Sequence, residues 1–165
     1  MTSLVFPGQG SQYQGMGRDF YDNFESARRI FEIVEDTTKL NIKKIVFDNT
    51  ENYLNITKYT QISIFTVSMS IFSVLSEIIK NANKVNFVLG HSLGEYSALT
   101  ASNSISLSEC ADLLKIRGEL MQDAYEENKS GMLAVIGLSC DKIENLIKKN
   151  SMNIEVANDN APNQV

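Results

Sequence analysis

The chain has few of the residues that would form a disulfide framework or a metal centre. Its 165 residues include two cysteines, Cys110 and Cys140, which are far apart and match no metal-ligand spacing. Two isolated thiols are typical of a reducing cytosol rather than of a disulfide-linked secreted domain. Only two prolines occur, so no proline-rich linker divides the chain. We therefore expect neither disulfides nor a bound metal.

An excess of basic residues is also missing. The chain carries 15 basic and 20 acidic side chains, which gives a net charge of −5. A nucleic-acid-binding protein usually concentrates Lys and Arg on one face. The charge balance therefore argues against a nucleic-acid partner and otherwise indicates only solubility.

The sequence lacks the composition of a signal peptide and of a membrane span. Residues 1–7 contain neither a basic region nor a long apolar run. The most apolar stretch, 62–79, is interrupted at helical spacing by serine and threonine. We interpret this stretch as a buried helix of a soluble protein, with one small polar face. The expectation is a cytoplasmic protein without a membrane partner.

Hydrophobic periodicity predicts that strands and long helices alternate up to about residue 127. Apolar runs at 4–6 and 84–89 predict two buried strands. Residues 43–48 predict one extra helical turn. Longer helices are predicted at 22–37, 60–79, 93–101 and 106–126, and Ser106 with Glu109 forms a capping-box pattern at the start of the last one. This order is typical of an α/β layered core, which we assign to residues 1–127.

Shorter elements follow this core. Strands are predicted at 132–138 and 153–157, and a helix lies between them at about 141–149. The change in element length near Lys129 predicts a small α+β subdomain over 128–165. A strand–helix–strand unit has an open edge and little core, so we expect the chain to be truncated at its C-terminus.

The most informative motif lies between the second predicted strand and the next helix. Residues 90–94 read Gly-His-Ser-Leu-Gly, a G-x-S-x-G pattern in the strand–turn–helix context of a nucleophile elbow. The glycines leave room for a sharp turn that exposes the Ser92 hydroxyl. The N-terminus of the helix directs N–H groups to the same place, and the Leu93 N–H is the first oxyanion donor. The motif alone also fits a glycine-rich turn without chemistry.

A serine nucleophile needs a general base. The one histidine of the chain, His91, directly precedes Ser92. Neighbouring residues across a tight turn point in different directions, so we interpret His91 as a structural or pocket-wall residue. The base is therefore expected to be missing from these 165 residues.

The glycine-rich loop after the first strand is a second candidate part of the site. Such loops gather at the edge of a parallel sheet where the elbow also lies. Gln9 could therefore supply a second oxyanion donor, although composition alone favours a purely structural loop.

Arg117 is predicted to lie on the apolar side of its helix. The apolar stripe contains Cys110, Leu113, Leu114, Leu120, Met121 and Ala124. A guanidinium in such a stripe is unfavourable unless it is paired. Its planar fork suits a carboxylate, which either an internal side chain or a substrate could provide.

Three segments occur in the order typical of one known family. They are Phe-Pro-Gly-Gln-Gly-Ser-Gln at 6–12, Gly-His-Ser-Leu-Gly-Glu-Tyr-Ser-Ala-Leu at 90–99, and Arg-Gly with Met-Gln within 117–122. Together they resemble malonyl-CoA:acyl carrier protein transacylase and the related acyltransferase domains of polyketide synthases. The resemblance runs from Leu4 to Val165 and corresponds to the N-terminal portion of the family.

The resemblance implies an α/β-hydrolase-like core with an inserted ferredoxin-like α+β subdomain. It implies that Ser92 carries the acyl group as an ester, that Gln9 and the Leu93 N–H form the oxyanion hole, and that Arg117 binds the malonyl carboxylate. Malonyl-CoA is then the substrate and acyl carrier protein the partner, in fatty acid biosynthesis, with no cofactor.

Two departures from the family pattern bear on this expectation. Thr60-Gln61 is followed by Ile62, where the family often has proline. The family's catalytic histidine lies beyond Val165, so the 165-residue chain alone is expected to be inactive.

Three other functions also fit some of these residues. A serine esterase or thioesterase shares G-x-S-x-G but explains neither Gln9 nor Arg117. A non-catalytic module could bind coenzyme A or a carrier protein. An acyltransferase of a polyketide pathway would use the same chemistry.

Overall fold

The computed structural model describes residues 2–78, 85–124 and 131–165 of the chain. The chain divides into two units, Met1–Tyr125 and Glu126–Val165, which we call the first and the second unit. Both contain helices, and the fold as a whole is α/β and mostly helical. The predicted element ends at Ile79, Lys84 and Glu126, and the predicted break at Lys129, lie outside the described residues.

The two predicted strands of the first unit are present and form a parallel pair, but the prediction that both are buried is wrong, since Val5, Phe87 and Leu89 are 72%, 52% and 54% exposed. Strand β1 spans Thr2–Phe6 and β2 spans Val85–Gly90. In their register Val5 lies beside Leu89, and Phe6 lies beside Gly90. Both strands therefore end at the same edge of the sheet.

Helices make up the rest of the first unit. They are α1 (Arg18–Asn23), α2 (Glu25–Thr38), α3 (Thr57–Ile78), α4 (Leu93–Ala101) and α5 (Leu107–Asp123), with a π-helical turn at Lys44–Asp48 and a 3₁₀ turn at Tyr53–Asn55. The helix predicted from residue 22 instead begins at Glu25, because Phe24 is extended (φ −127°, ψ 128°) and separates α1 from α2. The extra turn at 43–48 and the start of α5 at the Ser106 cap are confirmed.

Helix α3 is the central helix of the first unit. It is long and apolar enough to cross a membrane by composition, but 61% of its apolar window is buried inside the protein. Its predicted polar face is buried too, and three hydroxyls bond to α3's own carbonyls. Thr66 donates to Ile62 O (2.7 Å), Ser70 to Val67 O (2.8 Å) and Ser73 to Ser70 O (2.7 Å). These three hydroxyls are satisfied within the helix, whereas the buried Ser63 Oγ on the same face has no hydrogen-bond partner among the described residues.

The core of the first unit surrounds α3. Phe31, Phe65, Leu93 and Leu114 are fully buried and come from α2, α3, α4 and α5. One continuous core therefore fixes the relative positions of the helices that carry the candidate site.

The second unit contains helix α6, Cys140–Lys149, where a helix was predicted. The strands predicted at 132–138 and 153–157 are wrong. Val135 and Val165 exchange two backbone hydrogen bonds (2.8 and 3.1 Å), and Gly137 N–H donates to Asn163 O (2.8 Å). A β-strand needs a neighbouring strand with which it shares a regular ladder of backbone hydrogen bonds. Among residues 131–165 the longest ladder consists of these three bonds, which is too short for the predicted strands.

Candidate active site

The turn between β2 and α4 places Ser92 at its tip. Ser92 has φ 53° and ψ −111°, a positive-φ conformation that is strained for a residue with a side chain. Its side chain is exposed, whereas Leu93 beside it is fully buried. A strained, exposed serine between a strand and a helix is the geometry that G-x-S-x-G requires.

Glycines on both sides of Ser92 make this turn possible. A Cβ at Gly90 would overlap the backbone of Gly94, and a Cβ at Gly94 would overlap the Phe6 carbonyl and lie 2.8 Å from the Pro7 oxygen. No side chain fits at either position. The G-x-S-x-G spacing therefore reflects close packing of the turn against the end of β1.

Amide groups of the first turn of α4 gather beneath Ser92. Gly94 N–H donates to His91 O (2.9 Å), and Glu95 N–H donates to Ser92 O (3.1 Å). The Leu93 N–H comes first in the helix, where amides have no partner within the helix itself.

The loop after β1 packs against the elbow. A Cβ at Gly8 would lie 2.8 Å from His91 O and 2.9 Å from His91 Nδ1, so the loop and the turn are in direct contact. Gln9, one residue further, is exposed, and its Nε2 donates to Thr57 Oγ1 at 3.4 Å. The structure therefore brings the Gln9 loop to the elbow, with the Gln9 amide directed to the start of α3.

Arg117 of α5 reaches the candidate nucleophile. Its Nη2 donates to Ser92 Oγ at 3.0 Å, although the two residues are 25 positions apart. Its Cζ lies 5.6 Å from the centre of the Tyr96 ring. Among the described residues, no carboxylate forms an ion pair with Arg117. The internal carboxylate that was one of the two sequence-based alternatives is therefore not found in these ranges.

Gln61, which the sequence identified only as part of the Thr60-Gln61 pair and without a role, completes this arrangement. Gln61 of α3 is fully buried, its Oε1 accepts a hydrogen bond from Arg117 Nη1, and its Nε2 donates to Met121 Sδ at 3.1 Å. A buried amide needs partners at both ends. The sequence signal that could have identified Gln61 as part of the site is the presence of a glutamine inside a helix that is predicted to be buried.

The predicted stripe of α5 needs correction. Leu113 and Leu120 are 47% and 65% exposed. The buried face instead consists of Cys110, Ala111, Leu114 and Gly118. Arg117 lies half-buried at the border of that face, where its head can approach α3 and α4. The predicted phase of the helix placed the guanidinium nearer the centre of the core than it is.

Comparison with known proteins assigns the family. The family model described as "Acyl transferase domain" matches residues 3–165. The chain belongs to the acyl transferase domain family. A relative from Staphylococcus aureus (strain MRSA252), named malonyl CoA-acyl carrier protein transacylase, is 36% identical over 167 residues, which cover 99% of this chain and 53% of the relative. A relative of the same name from Bacillus subtilis (strain 168) is 30% identical over 166 residues, which cover 99% and 51%.

Solved structures of acyl transferases agree with this assignment. The malonyl CoA-acyl carrier protein transacylase of Clostridium perfringens has a TM-score of 0.88 and 37% identity, and the match covers 99% of this chain and 51% of that one. A malonyl-transacylase in complex with its type II PKS acyl-carrier protein has a TM-score of 0.90 and 34% identity, with 99% and 53% covered. The chain thus spans about half the length of the relatives it matches.

The resemblance inferred from three motifs is therefore confirmed. Within this acyl transferase domain, Ser92 and Arg117 are in hydrogen-bond contact, and the Gln9 loop lies against the elbow. The side chains of His91 and Ser92 share no hydrogen bond in the described ranges.

Proposed function

We propose that the protein containing this chain transfers a malonyl group from malonyl-CoA to the thiol of acyl carrier protein, in fatty acid biosynthesis. The observation that carries this proposal is the 3.0 Å hydrogen bond from Arg117 Nη2 to Ser92 Oγ. A guanidinium beside an exposed serine suits an acyl group that ends in a carboxylate. The names of the relatives support the same donor and acceptor.

In the proposed first half-reaction, Ser92 Oγ attacks the thioester carbonyl of malonyl-CoA. The carbon–sulfur bond breaks, malonate remains on Ser92 as an ester, and the serine proton passes through a general base to the departing CoA sulfur. In the second half-reaction the carrier-protein thiol attacks the ester carbonyl, its proton passes through the base to Ser92 Oγ, the ester carbon–oxygen bond breaks, and the malonyl group leaves as a thioester of the carrier protein. Malonyl-CoA enters as substrate, and the scheme needs no cofactor.

The oxyanion of each step would be stabilised by the Leu93 N–H and by Gln9 Nε2. The Leu93 N–H opens α4 directly after Ser92. Gln9 would exchange its long 3.4 Å bond to Thr57 for a charged acceptor, which is the stronger interaction. Loss of one such donor typically lowers the rate by roughly 100- to 1000-fold.

The general base would lie outside residues 1–165. His91 packs against Gly8, and its place beside Ser92 in a tight turn does not suit proton transfer from that hydroxyl. The purified 165-residue chain is accordingly expected to have no useful turnover. Transacylation by that chain would contradict this expectation.

At the level of fold, we propose an α/β-hydrolase-like core for residues 1–127 and the first half of an inserted ferredoxin-like subdomain for 128–165. The division of the chain at Tyr125 and Glu126 supports this boundary, and so does the overlap with solved acyl transferases. A soluble, cytoplasmic location is consistent with the burial of α3.

An acyltransferase role in a polyketide pathway is the second candidate. One structural relative, at 34% identity, is a malonyl-transacylase in complex with a type II PKS acyl-carrier protein. The donor and the serine chemistry are the same, so the two roles differ only in which carrier protein accepts the malonyl group.

The deciding experiment is the intact mass of the longest polypeptide encoded at this locus, before and after brief exposure to malonyl-CoA. We expect one malonyl adduct, absent from Ser92→Ala and present in Ser104→Ala, an exposed serine outside the site. Addition of carrier protein should remove the adduct and yield malonyl-carrier protein. Release of free malonate instead would favour the esterase, and absence of any adduct would favour the binding module.

A further inference from the structure

Gln61 forms a bridge between two helices at the candidate site. It lies in the first turns of α3, is fully buried, and contacts Met121 and Arg117 of α5 through the two ends of its amide. We call these three residues the amide bridge. None of the roles proposed above uses Gln61 or Met121.

Chemistry determines which way the amide points. A guanidinium can only donate hydrogen bonds, so the carbonyl oxygen of Gln61 must face Arg117. The Nε2 group must then face the other way, where Met121 Sδ, a weak acceptor, lies 3.1 Å from it. The amide therefore has one satisfied orientation, and that orientation holds Arg117 Nη1 at a fixed place.

Close packing of the two helices keeps the bridge short. A Cβ at Gly118 would lie 2.9 Å from Lys58 Cα and 3.0 Å from Lys58 O. The absence of a side chain at 118 thus lets α5 touch the first turn of α3, next to Gln61. Arg117 can consequently reach both Gln61 and Ser92 with one side chain.

The described partners of Arg117 are all neutral. Nη1 bonds to an amide oxygen, Nη2 bonds to a hydroxyl, and the Tyr96 ring faces Cζ. A carboxylate at the place of the Gln61 amide would neutralise the guanidinium, because the pair would be shielded from water. A neutral acceptor orients the cation and leaves its positive charge for a ligand.

From this geometry we infer that Gln61 is a positioning residue that sets the preference for acyl thioesters bearing a free carboxylate. This inference rests on the proposed function. Gln61 keeps Nη1 engaged throughout, while Nη2 changes partner. When the acyl donor binds, Nη2 exchanges the Ser92 hydroxyl for the carboxylate of the donor, which is the stronger acceptor, and it keeps this partner after Ser92 Oγ has become part of the ester.

The test compares acylation of Ser92 by malonyl-CoA and by acetyl-CoA in the longest polypeptide encoded at the locus. Time courses of intact mass at several donor concentrations give a rate constant and a half-saturation concentration for each donor. Gln61→Glu keeps the shape of the side chain and adds a charge. We expect it to lower the malonyl-to-acetyl ratio by about 10- to 100-fold, mainly through the malonyl half-saturation concentration.

Two further variants distinguish positioning of Arg117 by Gln61 from a nonspecific effect of added negative charge. Gln122→Glu adds the same charge on the same helix, outside the amide bridge, and is expected to leave the ratio unchanged. Gln61→Leu removes the acceptor without adding a charge, and is expected to raise the malonyl half-saturation concentration by about tenfold with acetyl transfer retained.

Each outcome bears on a different claim. A wild-type protein without a malonyl adduct would overturn the proposed function and this inference with it. Normal wild-type acylation with a ratio that Gln61→Glu does not change would overturn the inference alone. If Gln61→Glu melts early and takes neither donor, Gln61→Leu decides, because an unchanged malonyl half-saturation concentration in that variant would refute positioning by Gln61.

Discussion

The two units of the chain differ in where their apolar side chains lie. In the described residues, every buried hydrophobic side chain belongs to the first unit, from Phe6 to Leu114. The second unit has none, and its Leu133 and Ile136 are 84% and 68% exposed. Both units nevertheless contain regular, well-formed helices. Each unit thus contains a helix, but among the described residues the buried core that fixes functional side chains in place belongs to the first unit.

This difference can be tested most strongly with one substitution made in both units. Leu114 is fully buried in α5, and Leu146 is 47% exposed in α6. We expect Leu114→Ala to lower the free energy of unfolding by about 2–5 kcal/mol, because a cavity remains. Leu146→Ala should change it by less than about 0.5 kcal/mol. Urea unfolding of the 165-residue chain measures both, and equal effects would contradict the contrast.

A second pair of substitutions concerns glycine. Gly94→Ala would push a methyl group into the carbonyls of Phe6 and Pro7, so we expect a cost of about 1–3 kcal/mol and loss of the malonyl adduct in the full-length polypeptide. Nothing lies within 4 Å of a Cβ at Gly131. Gly131→Ala should therefore leave stability and acylation nearly unchanged. A tolerated Gly94→Ala would mean that the elbow is less tightly packed than described.

Helix caps give a smaller difference between the units. Ser106 Oγ accepts a hydrogen bond from Glu109 N–H (3.2 Å) at the start of α5, while Ser139 makes no side-chain cap at the start of α6. Ser106→Ala is expected to lower the free energy of unfolding by about 1 kcal/mol. Ser139→Ala should leave the free energy of unfolding nearly unchanged. Urea titration measures this free energy for both variants, and thermal melting gives an independent ranking of their stability.

The smallest expected effect is the pH dependence of the α5 cap. Hydrogen bonds from the Ser106 side chain and backbone hold the pKa of Glu109 below its ordinary value of 4.5. Because the folded pKa is lowered, the stabilisation is present above pH 4.5 and is lost as the pH falls through the folded value. Glu109→Gln should therefore melt below the wild type at neutral pH and together with it in acid. A difference that persists in acid would rule out this origin.

Local features were predictable from sequence because they depend on neighbouring residues. The helix at 93–101 and the capping box at Ser106 were correct for this reason. The strands at 132–138 and 153–157 were wrong, since an apolar run becomes a strand only beside a partner. The elbow was visible because its determinants lie within five consecutive residues.

Contacts between distant helices were less predictable. Gln61 and Arg117 are 56 residues apart, and no pattern in either helix indicates that they meet. The face of α5 was predicted from apolar residues alone, which included Leu113 and Leu120, both exposed. Small residues at Ala111 and Gly118 define the true contact, and their role becomes clear only when the neighbouring helix is known.

The pairing of β1 with β2 has a consequence for synthesis of the protein. Val5 of β1 pairs with Leu89 of β2, so β1 is synthesised roughly 84 residues before the strand with which it pairs. At about 5–20 residues per second, this delay is on the order of 4–17 s. The Phe6 carbonyl against which Gly94 packs is part of β1. We therefore expect the serine turn to become rigid late, after α1, α2 and α3 have been made, and the nascent chain to carry an unpaired apolar strand until then.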